Sequence, residues 1–417
     1  MRVIVFETVN FADMMRKIVC SIVLMWAAFA PASGQTVYQD YKNPGMVHHY
    51  NYSEPQRKEF IIPGIKGYHA YKADLHTHTV YSDAQVSPEF RVREAWLDGL
   101  DVMAITDHME YRKVEDRMVE YLGKYAKEGA KAVNYNLVRK EQPDDTLGIR
   151  VDLNFVVKLC CKAAQEYNLT IIPGIEVTRE PKTIGHYNAL FTQDNNTIYD
   201  ADPMQAIKNA KAQGALIMHN HPGWTRTSMD YTEFEAAVYK AGLISGVEVM
   251  NGYEFYPVTI ERAVKDKMFI SSNTDIHRST GIDYSGNGFA RNMTFIFAKN
   301  KGLDALKEAL EARRTLAYSC DNVAGEEKLL AEFFAASVEL SVIGEKKTKN
   351  KDDRNKVCIT NKTSIPYLLQ PKRGNPVWVR PFSSVIIKTR DNKDVVSFDV
   401  LNMWCGEDKH PNVKLKF

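Results

Sequence analysis

What the chain lacks narrows the field first. It has no glycine-rich phosphate loop, so an open doubly wound sheet that binds a nucleotide is left without its signature. No two of its six cysteines stand at the spacing of a thiolate metal site. Only five (Cys160, Cys161, Cys320, Cys358 and Cys405) lie beyond the N-terminal leader, an odd number that leaves at least one unpaired within the chain. Charge of one sign is lacking too: 54 basic against 52 acidic side chains give a formal net charge of +2. With no basic stripe, that balance argues against a nuclease or an acidic-lipid binder. After residue 30 there is no apolar run long enough to cross a membrane.

What is present begins with a leader. Arg16 and Lys17 precede the apolar run Ile18–Ala30, and Pro31-Ala32-Ser33-Gly34-Gln35 follows. A basic segment, a short apolar segment and small residues predict a secretory signal peptide over 1–34, cut after Gly34. The mature protein is then secreted or periplasmic, with no membrane segment. The rival, a membrane anchor, needs a longer run. The 417 residues, 44% of them hydrophobic, suffice for a barrel-sized domain and a smaller one.

Residues 35–70 are polar, rich in Tyr and Asn, and hold Pro44, Pro55 and Pro63; they predict an extended lead-in packed on the barrel, with His48, His49 and His69 as surface or packing residues. A strand–helix–strand unit follows: apolar runs Tyr71–Leu75 and Val102–Thr106 enclose a helix opened by Ser87, Pro88 and Glu89. Further strand-length runs occur at Thr170–Ile175, Tyr187–Phe191, Ala215–Met218, Gly246–Met250, Met268–Ser272 and Met293–Ala298, with helical signals between several of them. Alternating strands and helices predict a parallel sheet, closed into an irregular barrel of seven or eight strands over 71–330. The charged segment 110–150 is long for a strand-to-helix connection and is placed to shape access to the barrel mouth. From 335 to 417 seven short β-type runs without helices predict a small β-sandwich of the Ig-like kind; GEKKTKNKDDRNK over 344–356 reads as a solvated loop within it.

Metal-binding side chains recur at the strand ends. In chain order they are His76, His78 and Asp83; Asp107 and His108; Glu176; His186; His219 and His221; Glu248 and Asn251; and Asp275 and His277. Seven of the eleven histidines fall at these points. Any one of these motifs is weak alone, because a single histidine is more often structural. Recurrence at successive strand ends, which share one face of a β/α barrel, makes the set strong. Imidazole and carboxylate together suit zinc, manganese or iron, and a carboxylate can bridge two ions ~3.5–4 Å apart. His219 and His221 compete, one as ligand and one as its supporting donor. Glu248 and Asn251 are read as ordinary strand-end residues, outside the ligands.

DLHTHTVYSD, AITDH, IPGIEVT, the histidine of GHYNALF, HNHP and TDIH, running in order from Asp74 to His277, resemble the PHP (polymerase and histidinol phosphatase) superfamily. The resemblance implies an α/β fold, a distorted (β/α)7 TIM-like barrel with two or three divalent ions. It implies His76, His78, Glu176 and Asp275 for the first ion, with Glu176 bridging to His186 and His221 on the second. Asp83, His108 and His277 would hold a third. The family's ligand is the histidine directly before proline, which favours His221 over His219. The leader and the C-terminal sandwich are similar to those of secreted Sb-PDE-type phosphodiesterases of Bacteroidetes. The long segment between His108 and Glu176 departs from the family pattern, and bears on the substrate pocket.

The activity this implies is hydrolysis of a small-molecule phosphoester, a phosphodiester first, by a metal-bridging hydroxide. Glu176 and Asp275 belong to the catalytic set, and Arg278 and Arg112, each close behind a ligand, are candidate phosphate contacts. Trp224 and Tyr253 are placed to stack on a leaving group, or else pack the rim. The rivals are a phosphomonoesterase of the histidinol-phosphatase kind and a non-catalytic binding protein stabilised by metal.

Overall fold

The computed structural model describes residues 38–39, 42–48, 55–112, 152–179, 181–284, 288–343, 356–372, 374–388 and 395–417. The expected signal peptide, most of the segment 110–150 and the charged loop up to residue 355 lie outside the described residues. Residues 1–56 and 57–417 form separate compact units. In the first, β1 (Tyr38–Gln39) and β2 (Val47–His48) pair antiparallel.

The second unit begins with Arg57, whose guanidinium donates to the carbonyls of Trp96, Gly99 and Leu100 and pairs with Asp101 at 2.9 Å. β3 (His69–Asp74) leads into helix α1 (Pro88–Leu97). The start of α1 follows from its sequence: the Ser87 side chain accepts from Phe90 N, and Pro88 occupies the first turn, where no intrahelical donor is needed. β4 (Val102–Ile105), α2 (Phe155–Ala164), β5 (Thr170–Thr178) and β6 (His186–Leu190) follow. Then come α3 (Pro203–Ala212), β7 (Leu216–His219), α4 (Glu233–Lys240) and β8 (Ile244–Asn251), which carries the two-residue β9 (Glu254–Phe255). α5 (Val258–Lys265), β10 (Phe269–Asn273) and the single turn α6 (Thr280–Asp283) complete the part that bears the site.

These strands form one curled sheet in the order β10-β8-β7-β6-β5-β4-β3, a distorted barrel. Beyond β3 the sheet is extended by β11 (Met293–Ala298), β12 (Thr315–Ser319) and β13 (Asn322–Ala324), with α7 (Leu303–Glu311) between β11 and β12. Its free edge returns on itself: Thr77 and Ile276 form a parallel bridge, and Leu75 N donates to Asn273 Oδ1 at 2.8 Å. β4 and β11 are buried along their whole length, as strands covered on both faces must be.

The sheet departs from the expected parallel alternation in two places: β11 is antiparallel to both β3 and β12, and β6 is reversed as well. β5 and β6 are antiparallel neighbours, and β6 is antiparallel to β7 as well. The connection from β5 to β6 is too short for the crossover that a parallel pair needs. β6 therefore starts, rather than ends, at the mouth. His186, its first residue, thereby shares a rim with residues that close other strands.

Helix α8 (Glu327–Ser337) then leads directly into β14 (Val338–Ile343). Two sheets follow. One joins β14, β15 (Lys356–Asn361) and β18 (Ser384–Lys388); the other joins β17 (Val377–Val379), β16 (Tyr367–Pro371), β19 (Val395–Val400) and β21 (Asn412–Lys416). Alternate residues Val357, Ile359, Tyr367, Leu369, Val396, Phe398 and Val413 point inward and are buried. Phe333 and Phe334 of α8 belong to the same apolar cluster as these and as Phe295 and Tyr318 of the barrel sheet. The short β20 (Met403–Trp404) leaves the sandwich and pairs with β13. Among the described residues no helix is long and apolar enough to cross a membrane.

Candidate metal centre

The loop after β3 starts the site. Between His76 and His78, Thr77 is turned away and donates its hydroxyl to the Ala104 carbonyl at 2.6 Å, so the two imidazoles leave the loop together. Asp107 stays outside the cluster. It accepts from Thr79 N and from the Thr79 and Ser82 hydroxyls, each at 2.6 Å, and so shapes the turn that carries Asp83. Arg91 of α1 is fully buried and donates to the carbonyls of His78 (2.9 Å), Arg278 (2.9 Å) and Ile276 (3.1 Å). One guanidinium thus ties the loop after β3 to the loop after β10.

Nine side chains from six strand ends converge. Glu176, near the end of β5 and fully buried, is central. Its Oε1 lies 3.5 Å from His76 Nε2, 3.4 Å from His186 Nδ1 and 3.9 Å from His221 Nε2; its Oε2 lies 3.7 Å from His78 Nε2 and 2.5 Å from His108 Nδ1. Asp275 Oδ1 lies 3.2 Å from His76 Nε2 and 3.0 Å from His78 Nε2, and Asp275 Oδ2 is 3.7 Å from His221 Nε2. On the open side Asp83 Oδ1 is 3.3 Å from His108 Nε2 and 3.0 Å from His277 Nε2. Exposure rises along this direction, from none at His76 to 35% of the His277 side chain, so the mouth is at His277.

Ligand atoms fall into three groups, each compact enough for one ion: His76, His78 and Glu176; Glu176, His186 and His221; and His78, Asp83, His108 and His277. Two features fit them to cations. The buried atoms His76 Nε2, both ring nitrogens of His78 and Asp83 Oδ1 have no hydrogen-bond partner among the described residues, although buried polar atoms are nearly always paired. His221 and Asp275 also sit at φ +25° and +51°, a backbone region that non-glycine residues rarely adopt and that concentrates at functional sites.

The electrostatics are those of imidazoles crowded with carboxylates. Burial and the facing rings of His277 and His108 bring His78 down to about 4. Burial and His186 bring His221 down to about 3. Burial also opposes charge on His108, but Glu176 and Asp83 outweigh it and push it up to about 10. In the same way Asp275, Glu248 and Glu176 hold His76 well above its ordinary value against burial. Burial disfavours charge on Glu176 and Asp275, yet the surrounding imidazoles keep both well below the usual carboxylate range.

The remaining candidates lie around this core. His219 faces away: its Nε2 is 3.0 Å from Glu235 and its Nδ1 3.0 Å from the Tyr239 hydroxyl. Arg112 is buried and donates to the His108 carbonyl at 2.7 Å. Arg278, half exposed beside His277, is ion-paired with Asp283. Trp224 is 40% exposed, with its ring centroid 5.3 Å from that of His221 and 5.7 Å from that of His186, and Lys182 Nζ stands 4.2 Å over it. The exposed Tyr253 donates its hydroxyl to the Asp283 carbonyl. Glu248, which the sequence places outside the ligands as an ordinary strand-end residue, is fully buried 2.9 Å behind His76 Nδ1. A carboxylate in the middle of an otherwise apolar strand was the available signal.

Comparison with known proteins agrees with this picture. The PHP domain matches residues 74–345 and an Ig-like domain matches residues 340–416. A solved two-domain protein of Bacteroides vulgatus containing a predicted PHP-like metal-dependent phosphoesterase is 28% identical, covers 88% of this chain and 100% of its own, and superposes with a TM-score of 0.74. A candidate metal-dependent phosphoesterase of Bifidobacterium adolescentis (15% identity, 50% of this chain and 88% of its own, TM-score 0.32) and the lesion-specific endonuclease Q of Pyrococcus furiosus (16%, 62% and 59%, 0.36) are more distant. No curated protein matches the chain in sequence. On the match over residues 74–345, the chain belongs to the PHP domain family, with an Ig-like domain following its barrel.

Proposed function

We propose that this protein is a metal-dependent phosphoesterase acting on a small-molecule phosphodiester. The observation that carries the reading is the convergence of three ligand groups, two of which share the carboxylate of Glu176 while the third is joined to the first through His78. His76, His78, Glu176 and Asp275 would hold the first ion, Glu176, His186 and His221 the second, and Asp83, His108 and His277 a third. Bound there, two or three ions of zinc, manganese or iron supply Lewis acidity toward phosphoryl oxygens and lower the pKa of water, the basis of the hydroxide route.

The protein's own groups do the rest. Glu176 would serve two ion positions, with its Oε1 near His76, His186 and His221 and its Oε2 near His78 and His108. Arg91 keeps the two ligand loops in register. Arg278 stands at the open side, where a non-bridging oxygen would enter, and Trp224 offers a flat apolar wall beside His186 and His221. Arg278 is already neutralised by Asp283, and Arg112 is committed to a carbonyl. That supports an ester carrying one negative charge over a terminal phosphate carrying two. The near-neutral chain supports a small molecule over nucleic acid.

We further propose a signal peptide over 1–34 with a secreted or periplasmic mature form, a lead-in over 35–70, a barrel over 71–330 and a sandwich over 335–417. The deciding experiment strips the protein with chelator, reloads it with zinc, manganese or iron, and compares bis(p-nitrophenyl) phosphate with p-nitrophenyl phosphate. A metal-dependent preference for the diester supports the reading. A clear preference for the monoester moves the assignment to a phosphomonoesterase, and turnover of neither by loaded, folded protein favours the binding protein.

A further inference from the structure

Glu248, outside the nine converging side chains, has a role of its own in the geometry. It lies in β8 and is fully buried. Its Oε1 is 2.9 Å from His76 Nδ1 and accepts from Asn273 Nδ2 at 2.9 Å. Its Oε2 accepts from the backbone N–H of His221 at 2.7 Å and from Asn251 Nδ2 at 2.9 Å. The orientation of the Asn273 amide is fixed independently, since its Oδ1 accepts from Leu75 N at 2.8 Å and from the Thr294 hydroxyl at 3.2 Å. Its NH2 must therefore face Glu248.

We propose that Glu248 is a positioning residue that couples the first two ion sites, fixing the His76 ring with one oxygen and the His221 backbone with the other. This rests on the reading of the cluster as a metal centre. The chemistry is restrictive. With acceptors only on the carboxylate, His76 Nδ1 carries a hydrogen, so a bound ion would take the Nε2 that faces Glu176 and Asp275. A carboxylate behind an imidazole fixes the tautomer, orients the ring and makes the far nitrogen a better ligand. The other oxygen acts on a strained point, because His221 sits at φ +25° and its N–H is the group that Glu248 holds. His277 and His108 are steadied differently: His277 Nδ1 is 2.8 Å from the Asp275 carbonyl, and His108 Nδ1 is 2.7 Å from the Thr178 hydroxyl. Loss of Glu248 therefore weakens the first and second sites and leaves the third in place. Glutamine cannot substitute, since its NH2 would point at donors in either orientation.

The test uses the full chain, stripped and titrated with zinc by calorimetry, with bound metal counted by elemental analysis. Wild type, E248Q and N251A are compared, and ring 15N–1H spectra of the zinc-saturated proteins read the His76 tautomer. E248Q is expected to lose affinity by about 10–100-fold at two of the sites and to lose the fixed Nδ1–H form. N251A, which keeps both the His76 and the His221 contacts, stays near wild type. Wild-type affinity and an unchanged tautomer in folded E248Q would overturn the proposal. Should E248Q fail to fold, E248D decides: the carboxylate is retained but withdrawn by one methylene, so weakened zinc binding supports the role and unchanged binding refutes it. A wild-type protein that takes up no metal would instead overturn the metal-centre reading, and this inference with it.

Discussion

Each of the nine converging side chains is an ordinary residue placed where its protons would compete with a bound cation. In the metal-free protein His76, His108 and His277 are held above their usual values: burial disfavours their charge, and the neighbouring carboxylates outweigh it. His108, pushed up to about 10, carries at neutral pH a proton that a bound ion would have to displace. His78 and His221, at about 4 and 3, are already neutral and release none. Metal uptake at pH 7 should therefore release about one to three protons, and the apparent affinity should rise with pH. Calorimetry in buffers of different ionisation enthalpy measures this directly, and an enthalpy independent of buffer would contradict the protonation pattern. Glu176 contributes to more than one ligand group, so its replacement should be more damaging than that of any single outer partner. E176Q is expected to lower metal-dependent turnover by more than the ~100-fold that outer partners typically cost. A folded variant that kept its turnover would remove Glu176 from the centre.

At the scale of elements, what the sequence revealed depended on whether the signal was local. Ser87-Pro88 and Asp202-Pro203 are complete local instructions, and α1 and α3 begin where they say. Strand ends were legible because an apolar run followed by His or Asp is a local pattern too. The reversal of β6 was not, since strand direction is set by its neighbours and by the short connection from Thr178 to His186. The role of Glu248 was hidden for the same reason: its partners His76, His221 and Asn273 come from other strands. The fate of His219 belongs here as well. Glu235 completes the capping box of α4 with Thr232, pairs with Arg226 and faces His219. Burial opposes its charge, but His219 and Arg226 bring it down to about 2. A depressed carboxylate stabilises the fold above its unfolded value and loses that contribution as pH falls through its folded value. E235Q should therefore cost ~3 kcal/mol at pH 7, as breaking a buried pair does, with the gap to wild type closing between about pH 4.5 and pH 2. Urea unfolding at pH 7, 4 and 3 measures it, and a gap independent of pH would mean that packing, not charge, sets the cost.

At the scale of the whole molecule, the barrel and the sandwich share more than a linker. α8 runs without a break into β14, so the last helix of one leads straight into the first strand of the other. Phe334 meets Tyr367 of the sandwich edge to face at 5.0 Å, while Phe333 meets Phe295 of the barrel sheet at 5.9 Å. β20 crosses back to extend the barrel sheet beside β13, and the Trp404 ring packs against Phe255 at 5.3 Å. An apolar core that is continuous in this way gives neither part a complete surface of its own. The unit 57–417 should therefore unfold in one calorimetric transition, with metal binding raising the temperature of the whole. F334A, more than 50 residues from the nearest ligand in sequence, should destabilise both parts together, by ~3–5 kcal/mol for a buried Phe. Near-ultraviolet circular dichroism, which sees aromatic residues of both parts, and loss of metal-dependent activity should then follow the same curve. Two separate transitions, with F334A moving only one of them, would mean that the sandwich is an independent module and that its packing against α8 does nothing for the metal centre.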